Sequence, residues 1–331
     1  MMSTYHAPAL VKEALEALQI RPKGIYVDAT FGGGGHARAL LAQLDKDGRL
    51  YAFDQDTQAE AQAQQVPFIR FAGFRFIRAN FRHLKRHLRA WGVLPGQVDG
   101  ILADLGISSH QLDTAERGFS FRFDGPLDMR MNPAEERTAA DWLNESPEDL
   151  LQVIFSRYGE VRNARTLARL CVQFRQSTPF RTTRDLVYAC DQALLSLPGV
   201  ERTRYLAQVF QAVRIAVNDE IGALKDFLRE ATELLKPGGR LVVISYHSLE
   251  DRIVKNWLKT GDAEGLMTSD FYGNIHRPFH VVTRKPIEPS EEEILHNPRV
   301  RSAKMRVGER LNTKGEKASP AHLPVEKRHP Q

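Results

Sequence analysis

The stretch Val27-Asp28-Ala29-Thr30-Phe31-Gly32-Gly33-Gly34-Gly35-His36 decides how this chain is read. An apolar run, Ile25-Tyr26-Val27, leads into an acid, then four consecutive glycines, then a segment of helical spacing that begins near Ala37. Glycines at such a bend adopt backbone angles closed to other residues and let the main chain approach a ligand. The helix that follows offers free N–H groups to a negatively charged group such as a carboxylate. Gly32, Gly34 and Ala37 also satisfy the G-x-G-x-x-A dinucleotide fingerprint, so the loop alone does not separate a nicotinamide dinucleotide from another adenosine-bearing cofactor.

Outward from this loop, the runs at 25–29, about 50–54, 74–78, 99–103 and 240–246 read as short strands alternating with helical patterns. That alternation predicts an α/β fold with a mostly parallel, doubly wound sheet and helices on both faces. Ligands of such sheets gather at the carboxyl ends of the strands. Asp54 closes the second run, about 20 residues past the glycines, where an acid accepts ribose hydroxyls. Asp56 reads as a solvated loop acid. Asp28 fits an adenosyl sulfonium site or a bracing turn. Phe81 either stacks on an adenine or opens the core face of the next helix. Asp104, after Ile101-Leu102-Ala103, either accepts hydrogen from an ammonium or exocyclic amine or caps the next turn. In Tyr246-His247-Ser248, the serine reads as a helix cap and the histidine as a substrate contact or loop brace.

The fourth and fifth runs are far apart, and the chain between them is helical in pattern. Ser146-Pro147-Glu148-Asp149 reads as a helix start capped by Ser146, with Leu150, Leu151, Val153 and Ile154 as its apolar face. Arg165–Phe174 and the segment from Thr183 follow, with Leu167, Cys171, Leu186 and Cys190 at core spacing. One long helix is predicted from beyond Pro198-Gly199 to Pro237-Gly238-Gly239. Residues 279–284 and 303–308 read as two last strands, separated by a capping sequence at Ser290. The expected organisation is a discontinuous cofactor-binding domain over 1–111 and 206–311, an inserted helical substrate-recognition domain over 112–205, and a disordered basic tail over 312–331.

Bulk properties narrow the classes. The 331 residues are 42% hydrophobic and 26% charged, as in soluble globular proteins. No apolar run approaches the ~20 residues that span a bilayer. The first residues read as an amphipathic helix and not as a signal peptide. The two cysteines suggest neither a disulfide framework nor zinc, which fits a cytoplasmic protein without a metal. The net charge of +5 permits a nucleic-acid partner. Residues 70–91 contain no acid; Arg82, Lys85, Arg86 and Arg89 share one helical face, either a phosphate track or a solvated surface, and Leu84, Leu88 and Trp91 share the core side. Arg157, Arg162, Arg165 and Arg169 add charge among interspersed acids, and Arg299, Arg301, Lys304 and Arg306 add more.

Longer strings carry a family resemblance. They are His6-Ala7-Pro8, the glycine loop with Gly34-Gly35-His36, Asp104-Leu105-Gly106-Ile107-Ser108-Ser109, Glu116-Arg117-Gly118-Phe119-Ser120-Phe121, Gly125-Pro126-Leu127-Asp128-Met129-Arg130-Met131, Phe210-Gln211-Ala212-Val213-Arg214-Ile215 and His247-Ser248-Leu249-Glu250-Asp251-Arg252. Over about 5–312 the chain resembles the bacterial small-subunit (16S) ribosomal RNA cytosine-N4 methyltransferases of the RsmH/MraW type. The resemblance implies a class I S-adenosylmethionine-dependent, Rossmann-like sheet of seven strands with an inserted helical domain. It implies N4-methylation of a cytidine in the decoding region of 16S rRNA within the small ribosomal subunit, with S-adenosyl-L-methionine as cofactor, no metal and no membrane; a homodimer is left open. Its cofactor contacts carry over to Gly34, Gly35, His36, Asp54, Phe81, Asp104 and Gln111, and Asp104 is the candidate catalytic carboxylate. The chain departs from the family pattern at Gly33, where arginine is usual, at His110, where proline is common, and at Tyr246, where phenylalanine is common.

Overall fold

The computed structural model describes residues 8–267 and 277–312; the His6-Ala7 part of the resemblance and the expected tail beyond 312 lie outside the described residues. Seven strands, β1 (Ile25–Asp28), β2 (Arg49–Asp54), β3 (Phe74–Arg78), β4 (Val98–Asp104), β5 (Leu235–Ser245), β6 (Phe279–Val281) and β7 (Lys304–Arg310), form one sheet in the order β3-β2-β1-β4-β5-β7-β6. β1 to β5 are mutually parallel, and β7 runs antiparallel to both β5 and β6.

The strand sequences explain why both faces are covered. Val27, Tyr51, Phe53, Ile101, Ala103, Leu241 and Val243 enter one core, whereas Tyr26, Leu50, Ala52, Leu102, Val242 and Ile244 enter the other. Alternate side chains of a strand point to opposite faces, so continuous apolar runs demand helices on both sides. The second core is closed by α1 (Val11–Leu18), α2 (Gly35–Leu41) and α3 (Thr57–Ala63), and the first by α4 (Leu84–Ala90) and two later helices. The strand order reverses between β1 and β4, and there the crossovers on the two sides diverge and leave a crevice at the strand tips.

After β4 come the short α5 (Ser109–Asp113) and then α6 (Ala139–Glu145), α7 (Glu148–Gly159), α8 (Ala164–Ser177), α9 (Thr183–Leu194) and α10 (Arg202–Asn218), with α11 (Glu220–Leu234) returning to the sheet. α6 to α10 share their own core, in which Leu143, Phe155, Leu167, Cys171, Leu186, Cys190 and Phe210 are buried. The boundary expected at 205/206 falls inside α10, whose fully buried contribution to that helical core runs as far as Val213, with Ala216 and Val217 packing against it beyond. The single long helix predicted after Pro198-Gly199 is two helices. Asp219, at φ 46, ψ 43, takes the left-handed conformation that aspartate tolerates, ends α10 and starts α11.

Three local readings are corrected. Pro147, not Ser146, stands at the N-cap of α7, and the Ser146 hydroxyl is buried without a hydrogen-bond partner among the described residues. Trp91 keeps the spacing of the buried Leu84 and Leu88 but lies one residue past the end of α4; it is 48% exposed beneath the Arg75 guanidinium. The last helix at the sheet, α12 (Ser248–Thr260), is capped by His247, whose imidazole accepts the Glu250 N–H, so Ser248 is its first residue and not its cap. A short α13 (Glu291–His296) begins, as expected, at Ser290, whose hydroxyl accepts the Glu293 N–H.

Candidate active site

The glycine loop is pinned from three sides. The Ala29 N–H donates to the Leu102 carbonyl of β4 at 2.8 Å, the Phe31 N–H to the Phe53 carbonyl of β2 at 2.8 Å, and the Asp104 N–H to the Thr30 hydroxyl at 2.6 Å. The Phe31 side chain anchors the bend in a cluster with Phe68, Phe74 and Phe76. Gly34, at φ +76, must be glycine because a Cβ there would meet the Phe68 and Phe31 rings at 2.7–2.9 Å. Gly34 therefore serves the aromatic anchor, and it is not on the wall of the adjoining cleft.

That cleft encloses about 530 Å³ at the carboxyl ends of β1, β2, β4 and β5. Of the residues expected at a cofactor, Gly35, His36, Asp54, Phe81, Asp104 and Gln111 line it, as do Gly32 and Gly33. Gly32 sits at φ +52 with nothing within 4 Å of where a Cβ would stand, so its backbone is bare toward the cleft.

The carboxylates at the strand tips are the dominant electrostatic feature. Asp54 accepts the Gly32 N–H at 2.8 Å and the Asp56 N–H at 2.9 Å, tying the tip of β2 to the glycine loop. Burial nevertheless raises its pKa to about 6. Asp104 accepts the Tyr246 hydroxyl at 2.9 Å and stands 3.8 Å from the His36 ring; burial raises its pKa to about 7 against the Tyr246 hydrogen bond. Asp28 is buried beneath them, pushed up to about 6, with one carboxylate oxygen unpartnered among the described residues. His36 is held by the Ala9 carbonyl at 2.9 Å, and burial lowers its pKa, leaving it neutral at pH 7. Phe81 is half-buried edge-to-face against Phe227, as a core residue would be, and it also lies on the cleft wall.

Asp56 is not a solvated loop acid. It is buried, caps α3, and accepts both the Gln111 amide at 2.8 Å and the Arg117 guanidinium at 2.7 Å. Arg117 also donates to the carbonyls of Arg130 and Met131, so this acid ties the rim of the cofactor cleft to the start of the helical region. The Asp56-Thr57-Gln58 spacing carried the capping signal, but the partners lie more than fifty residues away in sequence. Gln211 and Arg214 of α10 complete the far wall.

Residues 3–311 match the model of the MraW methylase family. The chain belongs to the MraW methylase family. It is 50% identical over 310 residues to the ribosomal RNA small subunit methyltransferase H of Parabacteroides distasonis, covering 93% of this chain and 98% of that one. It is 52% identical over 309 residues to the protein of the same name from Bacteroides fragilis, covering 93% and 98%. The Cytophaga hutchinsonii protein of that name is 51% identical over 306 residues, covering 92% and 99%.

In this MraW methylase half of the basic face predicted around α4 is neutralised. Arg82 pairs with Asp219 and Asp226, and Lys85 with Glu233, all on or beside α11; Arg86 and Arg89 remain exposed. Arg299 and Arg306 are likewise paired, with Asp113 and Asp251. By contrast Arg157, Arg162, Arg165 and Arg169, on or between α7 and α8, are exposed and have no acid partner among the described residues. No helix among the described residues is long and apolar enough to cross a membrane.

Proposed function

We propose that this MraW methylase transfers a methyl group from S-adenosylmethionine to the exocyclic N4 of a cytidine in the decoding region of 16S rRNA, acting in the cytoplasm on the small subunit. The observation that carries this reading is the pairing, in one cleft, of a ribose-type acid at the tip of β2 with a second acid, Asp104, at the tip of β4, on the other side of β1.

The residues present fit the cofactor. The bare backbone at Gly32 allows close approach, Asp54 keeps lone pairs for ribose hydroxyls, and the Phe81 ring offers a face to an adenine. Bound there, S-adenosylmethionine supplies an electrophilic methyl on a positively charged sulfonium. A cluster of buried acids with raised pKa values favours such a cation.

The N4 lone pair of cytosine is delocalised into the ring, so the amine needs help as a nucleophile. The Asp104 carboxylate accepts an N4 hydrogen and takes the proton that the amine sheds on methylation. Tyr246 fixes the carboxylate by donating to one of its oxygens, which leaves the other for substrate. The base must leave its stack to reach the strand tips. The helical region, expected at 112–205 and extended by packing through Val213, receives the RNA. Gln211 of the cleft wall donates to the Tyr158 carbonyl at the end of α7 at 3.1 Å, which ties the cleft to the helices that carry the unpaired arginines, and these can hold phosphates.

Labelled S-adenosylmethionine, incubated with the full chain and with small subunits from cells lacking the enzyme, tests the reading. Label is expected in 16S rRNA; transfer to no assembly intermediate would contradict it.

A further inference from the structure

Arg214 is held more firmly than its surroundings require. Its Nε and Nη2 donate in a fork to Glu220, at 2.7 and 2.9 Å, and both side chains are nearly sealed from solvent. The left-handed turn at Asp219 makes the fork, folding α11 back so that Glu220 faces the preceding turn of α10. Asn218 locks the same turn by donating to the carbonyls of Arg214 and Met129. The third nitrogen, Nη1, has no hydrogen-bond partner among the described residues, yet it is not among the sealed, unpartnered atoms. Arg214 lines the same cleft as Asp104, Tyr246 and His247. A guanidinium fixed by two of its nitrogens and free at the third is a preorganised donor.

Two kinds of acceptor could meet it: a phosphate, or the edge of a base. The charges nearby decide. Glu220 already neutralises Arg214. Glu250 is buried close by; burial alone would raise its pKa, but His247 and Arg214 hold it below the usual range, so it is ionised. Asp104, on the same cleft, adds part of a further negative charge near pH 7. A phosphate would enter a region already in excess of negative charge, whereas a neutral base would not.

We propose that Arg214 reads the acceptor edge, N3 and O2, of the target cytosine while Asp104 faces its N4 amine. Cytosine presents one donor group followed by two acceptors along this edge. Uracil presents an acceptor at O4, which a carboxylate repels, and an N3–H, which meets a guanidinium donor. The pair Asp104 and Arg214 is therefore complementary to cytosine and mismatched to uracil. The assignment rests on the function proposed above and names the residue that selects the base.

The test compares native small subunits from cells lacking the enzyme, whose target cytidine is unmethylated, with subunits rebuilt around 16S rRNA carrying 3-deazacytidine, which lacks the N3 acceptor, at the target. Wild-type kcat/KM is expected to fall roughly 10- to 100-fold on the analogue. Arg214→Lys keeps the charge but cannot hold Glu220 and also donate, so it should lose a comparable factor on native subunits and little more on the analogue. Any altered reactivity of the analogue's amine cancels, because both enzymes meet the same one. An equal analogue penalty in both enzymes would overturn the proposal, and would assign the guanidinium to phosphate if the variant also had a shallower salt dependence. S-adenosylhomocysteine affinity, by calorimetry, checks that the variant is folded. Should it lose that affinity, Glu220→Gln, which loosens the fork, is the second variant; there the analogue penalty should shrink, and an undiminished penalty would overturn the assignment. Wild-type enzyme inactive on native subunits would instead defeat the methylation reading itself.

Discussion

Two arginine-rich helices look alike in sequence and differ in the fold. Just before and on α4, Arg82 and Lys85 are spent on Asp219, Asp226 and Glu233 of the neighbouring α11 turn and helix, so this face is a brace between the sheet and the end of the helical region. Around α8, Arg162, Arg165 and Arg169 have no such acids against them and stand exposed. The acid-free run 70–91 is the more persuasive as a sequence, yet it is the one in which Arg82 and Lys85 are cancelled by acids and only Arg86 and Arg89 stay exposed. A charge run becomes a potential only after the partners brought by the fold have been subtracted. The same contrast holds between the cleft, where acids are buried and reluctant to ionise, and the helical surface, where bases are free. The proposed function assigns chemistry to the first and RNA recognition to the second.

Variants can separate these roles. The largest effect is expected of Asp104→Asn, which should slow single-turnover methyl transfer by ~10²–10⁴-fold while leaving RNA affinity intact; loss of RNA binding with it would merge the two regions. Asp54→Ala should weaken S-adenosylhomocysteine binding by roughly 10- to 100-fold, as loss of hydrogen bonds to a charged group does, and calorimetry with unchanged affinity would displace the ribose from this acid. Removing Arg162, Arg165 and Arg169 together should lower RNA affinity and flatten the logarithmic salt slope by about 2, at ~0.7 per single-strand phosphate. Replacing Arg82 and Lys85 should barely change that slope and should instead lower the melting temperature slightly, since half-exposed ion pairs contribute ~0–1 kcal/mol each. Equal slopes for the two sets would erase the distinction.

The smallest effect concerns pH. The pKa of Asp54 is raised from its ordinary 3.8 to about 6 in the fold, so the folded state binds its proton more tightly than the unfolded chain does. The contribution of this group to stability without cofactor is therefore lost as pH rises from about 4 through about 6. Cofactor binding to the ionised acid runs the other way. Its affinity should fall as pH drops through about 6, and Asp54→Asn should remove that dependence; a profile shared by both proteins would assign the proton elsewhere.

What could be read in advance follows from where the information lies. The glycine loop, the strand tips at Asp54 and Asp104 and the two-sided sheet were legible because each depends on a few adjacent residues and the period of a strand. Asp56 was misread because Gln111 and Arg117, which bury it, come from a distant segment. The break at Asp219 was invisible because its apolar spacing continues through the turn, and only packing against Arg214 makes the left-handed residue worthwhile. Trp91 obeyed the helical period by count but lies just past the helix end.

The central claim is that Asp104 faces the exocyclic amine of a cytosine beside the bound sulfonium. Mass spectrometry of nucleosides from small subunits methylated by the full chain tests it most directly. The account predicts N4-methylcytidine in the decoding-region fragment, absent when Asp104→Asn is used; a methyl on carbon 5, on the ribose 2′-hydroxyl or on another base would contradict it.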